Sequence, residues 1–378
     1  MRAVILRRGQ LAVGDVPEPV PGPDQLLVAP IATGVCGSDL SAWQHTADFL
    51  AAQRDAGADG GLFNPDRDLI LGHEFTSRVV AVGDGVTDYA AGDMLVTLPW
   101  VRDSRGVVCT VGYSNDYPGG LADRAVVQAG GHLRIPARVD PVTAAVTEPL
   151  ATGVNAVLRS QIAPPVGAIV TGGGPVGLGA VALLAEREIH PLVVSDPSPR
   201  RRALAMRFGA DEAVDPAQAD AVAVWRALTA GRQRLYVFEA SGRRGLLNEL
   251  ICRVPQHTRF FVVGACMELD VIRPVVAVMK NISVAFLTAQ DWDEGEYAAF
   301  RVTFERVADG RIDAAALVTG YTGFDGVAGL FAGLRPADPH AIEHVKVLVR
   351  PELPGTGIYL RREVSRSASR RSSGSSSP

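Results

Sequence analysis

Hydrophobic positions along the first 145 residues fall in short alternating or apolar runs, "LLVAPIATGV", "TSRVVAVG", "DMLVTLP" and "ADRAVVQ", set apart by Gly, Pro and Asp. Runs of that length between turn residues predict a β-rich domain. From about residue 146 to 290 the rhythm changes. "AIVTG" leads into "PVGLGAVALLAERE", "LVVSD" into "PRRRALAMRFGA" and "RLYVFEA" into "GLLNELICRV", and then "RFFVVGA" follows. Strands alternating with helical patterns predict a parallel sheet covered by helices. Beyond residue 290 the pattern gives a helix at about Tyr297–Ala308, a second near Asp325–Leu334 and a closing strand, "VKVLVR".

No charged residue occurs for 26 positions between Arg159 and Glu186, a run long enough to span a membrane. "TGGGPVG" interrupts its middle and Pro164 and Pro165 precede it. A strand, a glycine turn and a buried helix are therefore expected there instead. The apolar run in "MRAVILRRGQ" is too short for a signal peptide.

A chain of 378 residues exceeds one ordinary hydrophobic core, so two domains are expected. A hydrophobic share of 47% and a charged share of 21% describe a soluble globular protein. Residues 361–378 hold five arginines, one glutamate and eight serines, so the net charge of −4 leaves −8 on the body. A body of that sign predicts no nucleic-acid partner, and the Arg/Ser segment reads as a disordered tail. Cys36, Cys109, Cys252 and Cys266 show no regular spacing. That pattern predicts reduced thiols and a cytoplasmic setting.

Gly172, Gly174 and Gly177 stand in G-x-G-x-x-G spacing after an apolar strand and before a helix, with Pro175 and Val176 between them. Such a turn brings backbone close to a pyrophosphate, and the helix N-terminus offers free N–H groups to the anion. Nineteen residues past Gly177 the next strand ends in Asp196, placed to accept hydrogen bonds from an adenosine ribose. Its charge favours NAD over NADP. Arg200, Arg201 and Arg202 read either as a 2′-phosphate site or as a solvated helix face with Ser198 as cap.

"TGVCGSDL" and "ILGHEFTSRVVAVG" bring Cys36, His73 and Glu74 into the β-rich domain. A thiolate, an imidazole and a carboxylate make an open zinc shell with a fourth position for water or substrate. Neighbours on a regular strand face opposite ways, so His73 and Glu74 ligate together only if the chain turns, which Gly72 permits. Otherwise the third ligand comes from elsewhere, and Glu148 of "TEPLAT" is the best-placed carboxylate. Asp39 is positioned to orient His73 through its second ring nitrogen.

The ordered motifs "GVCGSD", "GHEF", "AGDMLV", "GGLADR", "EPLATG", "GGGPVG", "SDPSPRRRALA" and "FEASG" resemble the zinc-dependent medium-chain dehydrogenase/reductase superfamily over about residues 1–350. The resemblance implies an α/β fold, a GroES-like β-rich catalytic domain with an inserted Rossmann doubly wound parallel-sheet domain. Its boundaries are expected at 1–145, 146–290 and 291–352, with a tail at 353–378. It implies Cys36 and His73 as zinc ligands, Glu74 as ligand or neighbour, and Glu148 where some members carry cysteine and polyol-type members glutamate. Ser38 matches the hydroxyl that passes on the substrate proton. A homodimer or homotetramer is also implied.

Three departures qualify the resemblance. Only Cys109 remains in the segment at about Pro99–Tyr117 that holds a structural zinc elsewhere, so a single catalytic zinc is expected. Ser41 stands where relatives carry a relay histidine, and 36 residues separate Cys36 from His73 because of an inserted helix and loop at about 43–68. The expected function is reversible oxidation of an alcohol or polyol to an aldehyde or ketone with NAD(P), on a small-molecule substrate and away from membranes. The alternatives are a zinc-free NADPH-dependent quinone or enoyl reductase of the same superfamily and a non-catalytic nucleotide-binding module.

Overall fold

The structure is a computed structural model and describes residues 1–57, 62–288, 297–334 and 344–360. Two compact units divide the chain. The first holds residues 1–146, returns at 315–334 and again from 346; the second holds residues 147–314 with 344–345.

The first unit opens on a hairpin of β1 (Arg2–Arg7) and β2 (Gln10–Asp15). The ten-residue β3 (Gln25–Gly34) follows, then α1 (Gly37–Gln44) and α2 (Thr46–Asp55), the helix of the inserted segment. Next come β4 (Glu74–Val82), β5 (Met94–Val96), β6 (Trp100–Arg102), β7 (Val108–Thr110), β8 (Ala125–Gln128), β9 (Leu133–Arg134) and α3 (Pro141–Ala144). β3 pairs antiparallel with both β4 and β8. Leu26, Val28, Phe75, Val79, Leu95 and Val127 close over one core, and Cys109 joins it.

In the second unit α4 (Thr147–Ser160) precedes β10 (Val166–Thr171), α5 (Pro175–Glu186), β11 (Leu192–Ser195), α6 (Pro199–Arg207), β12 (Glu212–Val214) and α7 (Ala221–Thr229). β13 (Arg234–Glu239), α8 (Leu246–Arg253), β14 (Arg259–Val262), α9 (Pro274–Met279), β15 (Ser283–Phe286) and α10 (Ala298–Ala308) complete it. All six strands are parallel, in the order β12-β11-β10-β13-β14-β15. That is the doubly wound order, whose reversal beside its first strand creates a ligand crevice at the strand C-termini. The uncharged 26-residue stretch becomes β10, the glycine turn and α5. Among the described residues no helix is long and apolar enough to cross a membrane.

The return to the first unit falls at residue 315 and not at 291. The reason is α10, which packs on α4 through the buried Phe300 and Phe304 and carries Arg306, paired with Glu186 of α5 at 2.7 Å. The first unit then closes with β16 (Val318–Thr322) and β17 (Lys346–Val349), in a seven-stranded sheet ordered β16-β17-β3-β4-β5-β9 with β8 also on β3. The expected tail begins later than 353, because Tyr359 exchanges backbone hydrogen bonds with Tyr321 at 2.7 and 2.9 Å. The Arg/Ser segment at 361–378 and residues 58–61 of the insertion lie outside the described residues.

His132 gives this unit a pH dependence. Its buried ring accepts the Leu98 N–H at Nδ1 (3.0 Å) and donates to the Gln128 carbonyl from Nε2 (2.7 Å). Burial lowers its pKa to about 4, against the partial support of the Gln128 carbonyl. The unfolded chain therefore binds a proton between pH 6.5 and 4 that the folded chain refuses. The stability this ring contributes is complete above pH 6.5 and falls by about 3 kcal/mol as pH drops to 4. Urea unfolding at stepped pH values checks this, and a His132→Asn protein is expected to lose that part of the slope.

Candidate active site

The sequence brings together Cys36, His73 and Glu74, a group that could hold a metal ion, at the ends of β3 and β4. Cys36 N-caps α1, and Asp39, three residues on, returns Oδ2 to the Cys36 N–H at 2.9 Å. On the other side Gly72 adopts φ +100°, a conformation that L side chains rarely enter. A side chain at Gly72 would also meet the Leu121 backbone nitrogen at 3.0 Å. The chain turns at this glycine, so His73 lies just outside β4 and Glu74 begins it. As a result Cys36 Sγ, a ring nitrogen of His73 and a carboxylate oxygen of Glu74 all lie within 4.8 Å of one another.

The surroundings of the cluster are polar groups in a buried setting. Asp39 Oδ1 lies 3.3 Å from His73 Nδ1, an approach that orients the ring. Burial disfavours the imidazolium, but the charges of Asp39 and Cys36 outweigh it and hold the His73 pKa well above its ordinary value. Burial likewise disfavours the Asp39 carboxylate. The His73 ring, the Cys36 N–H and the Tyr113 hydroxyl reverse that and keep it below the usual carboxylate range.

Glu74 is 1% exposed; its Oε2 accepts from Lys346 Nζ at 2.7 Å, while Oε1 has no hydrogen-bond partner among the described residues. A buried carboxylate oxygen left so costs about 1–3 kcal/mol unless something else satisfies it. Sulfur, nitrogen and oxygen donors at this spacing fit zinc.

Two of these groups escaped the sequence reading. Lys346 donates to the Val35 carbonyl at 2.8 Å as well as to Glu74, so it ties the residue before Cys36 to the residue after His73. Its signal was present, a charge inside the apolar strand "VKVLV" in a chain with only two lysines. Tyr113, whose hydroxyl donates towards Ser38 Oγ at 2.8 Å, had none.

Glu148 sits in the second unit, buried in the first turn of α4. In the same unit Gly172, Gly174, Pro175, Val176 and Gly177 form the turn from β10 into α5, with Gly174 as N-cap and Pro175 in the first turn. A side chain on Gly177 would meet the Gly172 carbonyl oxygen at 1.8 Å, so this helix reaches its strand only with glycine there. α4 and α5 approach as closely. Side chains on Gly153 and Gly179 would meet the Val176 and Leu150 carbonyl oxygens at 1.9 and 2.2 Å.

Asp196, 2% exposed, accepts the Gly173 N–H at 2.7 Å and the Ser198 N–H at 2.8 Å, so it stitches the glycine turn to the end of β11. Each carboxylate oxygen keeps a second lone pair for a hydroxyl. Arg201 lies 3.8 Å from it. Arg202 is committed to the Asp196 and Pro197 carbonyls and to Asp215, which removes it from any phosphate cluster.

Comparison with known proteins places the chain in a family. Residues 22–137 match the alcohol dehydrogenase GroES-like domain family, and residues 175–302 match the zinc-binding dehydrogenase family. L-threonine 3-dehydrogenase of Thermococcus kodakarensis is 29% identical over 323 residues, covering 82% of this chain and 87% of its own. L-galactonate-5-dehydrogenase of Escherichia coli is 30% identical over 62% of this chain and 66% of its own. A solved Sinorhizobium meliloti structure, assigned as a zinc-binding dehydrogenase and bound to NADP, superposes with a TM-score of 0.75. It is 26% identical and covers 93% of this chain and 99% of its own. The chain belongs to the zinc-dependent medium-chain dehydrogenase/reductase superfamily and is an enzyme of its alcohol/polyol dehydrogenase type.

Proposed function

We propose that the protein oxidises a secondary alcohol within a polyol or hydroxy-acid substrate, reversibly and with NAD⁺, at a zinc ion held by Cys36, His73 and Glu74. The observation that carries this reading is the approach of these three donors to within 4.8 Å, with Glu74 Oε1 lacking a hydrogen-bond partner among the described residues. The substrate class draws on the relatives named above, whose names put the oxidation at an internal carbon.

Glu148 is assigned as an exchangeable fourth donor, on its chemistry, its burial and its place in the "EPLATG" motif. Zinc held there would supply Lewis acidity that lowers the pKa of an alcohol hydroxyl, and a bound nicotinamide would supply the hydride acceptor. The chain's own residues do the rest. Asp39 holds the His73 ring, Lys346 holds Glu74, and Ser38 relays the substrate's hydroxyl proton, accepting it at Oγ as its own O–H proton passes on towards the nicotinamide ribose.

The glycine turn Gly172–Gly177 and the N-terminus of α5 receive the pyrophosphate, and Asp196 the ribose hydroxyls. NAD is favoured because Asp196 repels a 2′-phosphate and Arg202 is already engaged. Binding titrations with NADH and NADPH test this, and a clear preference for NADPH overturns it.

A homodimer is proposed through the edge strand β15 and the segment before it. Leu269, Val271, Val275, Val278, Met279 and Phe286 are all more than half exposed there, and exposed apolar side chains grouped along one edge are what a protein interface covers. Sedimentation equilibrium at micromolar concentration is expected to give a dimer; a monomer contradicts it. A cytoplasmic setting is proposed from the irregular spacing of the four cysteines.

The function is tested by a screen of alcohols, polyols and hydroxy acids with NAD⁺. A Glu148→Ala protein is expected to turn over the best substrate at least tenfold more slowly. Full zinc content together with full turnover in that variant contradicts the role of Glu148.

A further inference from the structure

We propose that Tyr113 is a positioning residue for Ser38, held in place by the inserted segment that separates Cys36 from His73. The inference rests on the reading of Ser38 as the proton-accepting hydroxyl. Tyr113 Oη lies 2.8 Å from Ser38 Oγ and 3.2 Å from Asp39 Oδ1, and the Tyr113 ring packs on the His73 ring with centroids 5.2 Å apart. The ring is buried, 7% exposed. The same ring meets that of Phe49 of α2, centroids 5.1 Å apart, and Phe49 in turn meets Phe63 at 6.0 Å. Both phenylalanines belong to the insertion and are buried. The insertion therefore acts as the seat of Tyr113.

Proton counting gives the hydroxyl its task. The Asp39 carboxylate only accepts, and Tyr113 has one hydroxyl proton. With that proton given to Asp39, the Tyr113 oxygen accepts the Ser38 hydroxyl and leaves a Ser38 lone pair open to accept a hydrogen bond from the substrate's hydroxyl. With the proton turned to Ser38, the serine's own O–H is free to donate. Rotation of one buried hydroxyl thus sets Ser38 as hydrogen-bond acceptor towards an alcohol or as hydrogen-bond donor towards a carbonyl, with no change in charge. Ser41, in the same helix, has its hydroxyl on the Gly37 carbonyl at 3.1 Å and leaves this task to Tyr113.

The test is a double-mutant cycle on the full chain, loaded with zinc and assayed with the fastest substrate of the NAD⁺ screen. Tyr113→Phe keeps the ring contacts and removes only the hydroxyl. It is expected to keep the zinc content and KM of the parent, to lower kcat about tenfold, and to raise the D₂O effect on kcat. On a Ser38→Ala background the same change is expected to do nothing further, because it acts through Ser38. Unchanged kcat in Tyr113→Phe, an equal loss on both backgrounds, or loss of zinc overturns the proposal. Ser38→Ala at full turnover sinks the serine reading itself, whereas a slow Ser38→Ala beside a fast Tyr113→Phe sinks only the tyrosine. Phe49→Ala is expected to reproduce the kcat loss with KM unchanged; full kcat there removes the insertion from the account.

Discussion

Replacing Cys36 by serine is expected to lower turnover by about a thousandfold or more. Serine remains a good N-cap, so α1 and the Asp39 return bond to the Cys36 position are retained and the fold is little affected. What is lost is the thiolate. A bound metal supplies several kcal/mol of charge stabilisation to the reacting oxygen, and about 4 kcal/mol of barrier corresponds to a factor near a thousand. Steady-state kinetics on folded Cys36→Ser protein, with zinc supplied in the buffer, read the effect. Turnover within tenfold of the parent would remove Cys36 from the chemistry and favour a zinc-free reductase.

The second large effect is on stability. The Lys346 and Glu74 side chains are 6% and 1% exposed and pair at 2.7 Å. Ion pairs this buried add little when compared with well-packed apolar residues, because both charges have left water. Breaking one is different. Lys346→Met leaves the Glu74 carboxylate and the Val35 carbonyl without their donor, and a loss of about 3–5 kcal/mol in unfolding free energy is expected.

Glu74→Gln added to Lys346→Met is expected to recover part of that loss, since the orphaned charge is gone. Urea unfolding of apo protein checks both, so that zinc binding does not add to the reading. A Lys346→Met protein within 1 kcal/mol of the parent would show that Glu74 is not held in this way.

Much of the fold was legible because its determinants are local. Apolar runs between turn residues mark β3, β4 and β8, and "TGGGPVG" between an apolar strand and an apolar helix marks the nucleotide turn. The boundary at 315 was not legible. The periodicity of α10 shows that it buries Phe300 and Phe304, not that α4 is what covers them.

The site divides along the same line. Cys36 and Asp39 share one helix start, and the pattern "GHEF" already held the turn that lets two adjacent residues act together. Whether the chain took that turn depended on the positive φ of Gly72. Lys346 and Tyr113 lie 272 and 75 residues from their partners Glu74 and Ser38, so only the folded sheet and the seated insertion bring them in.

The central claim is that Cys36, His73 and Glu74 hold one zinc ion on which turnover depends. Metal analysis of the purified full chain, with turnover measured on the same sample, tests it most directly. The account predicts about one zinc per chain, activity lost with the metal on chelation and restored by zinc alone. A zinc-free preparation that oxidises its alcohol at full rate would contradict it.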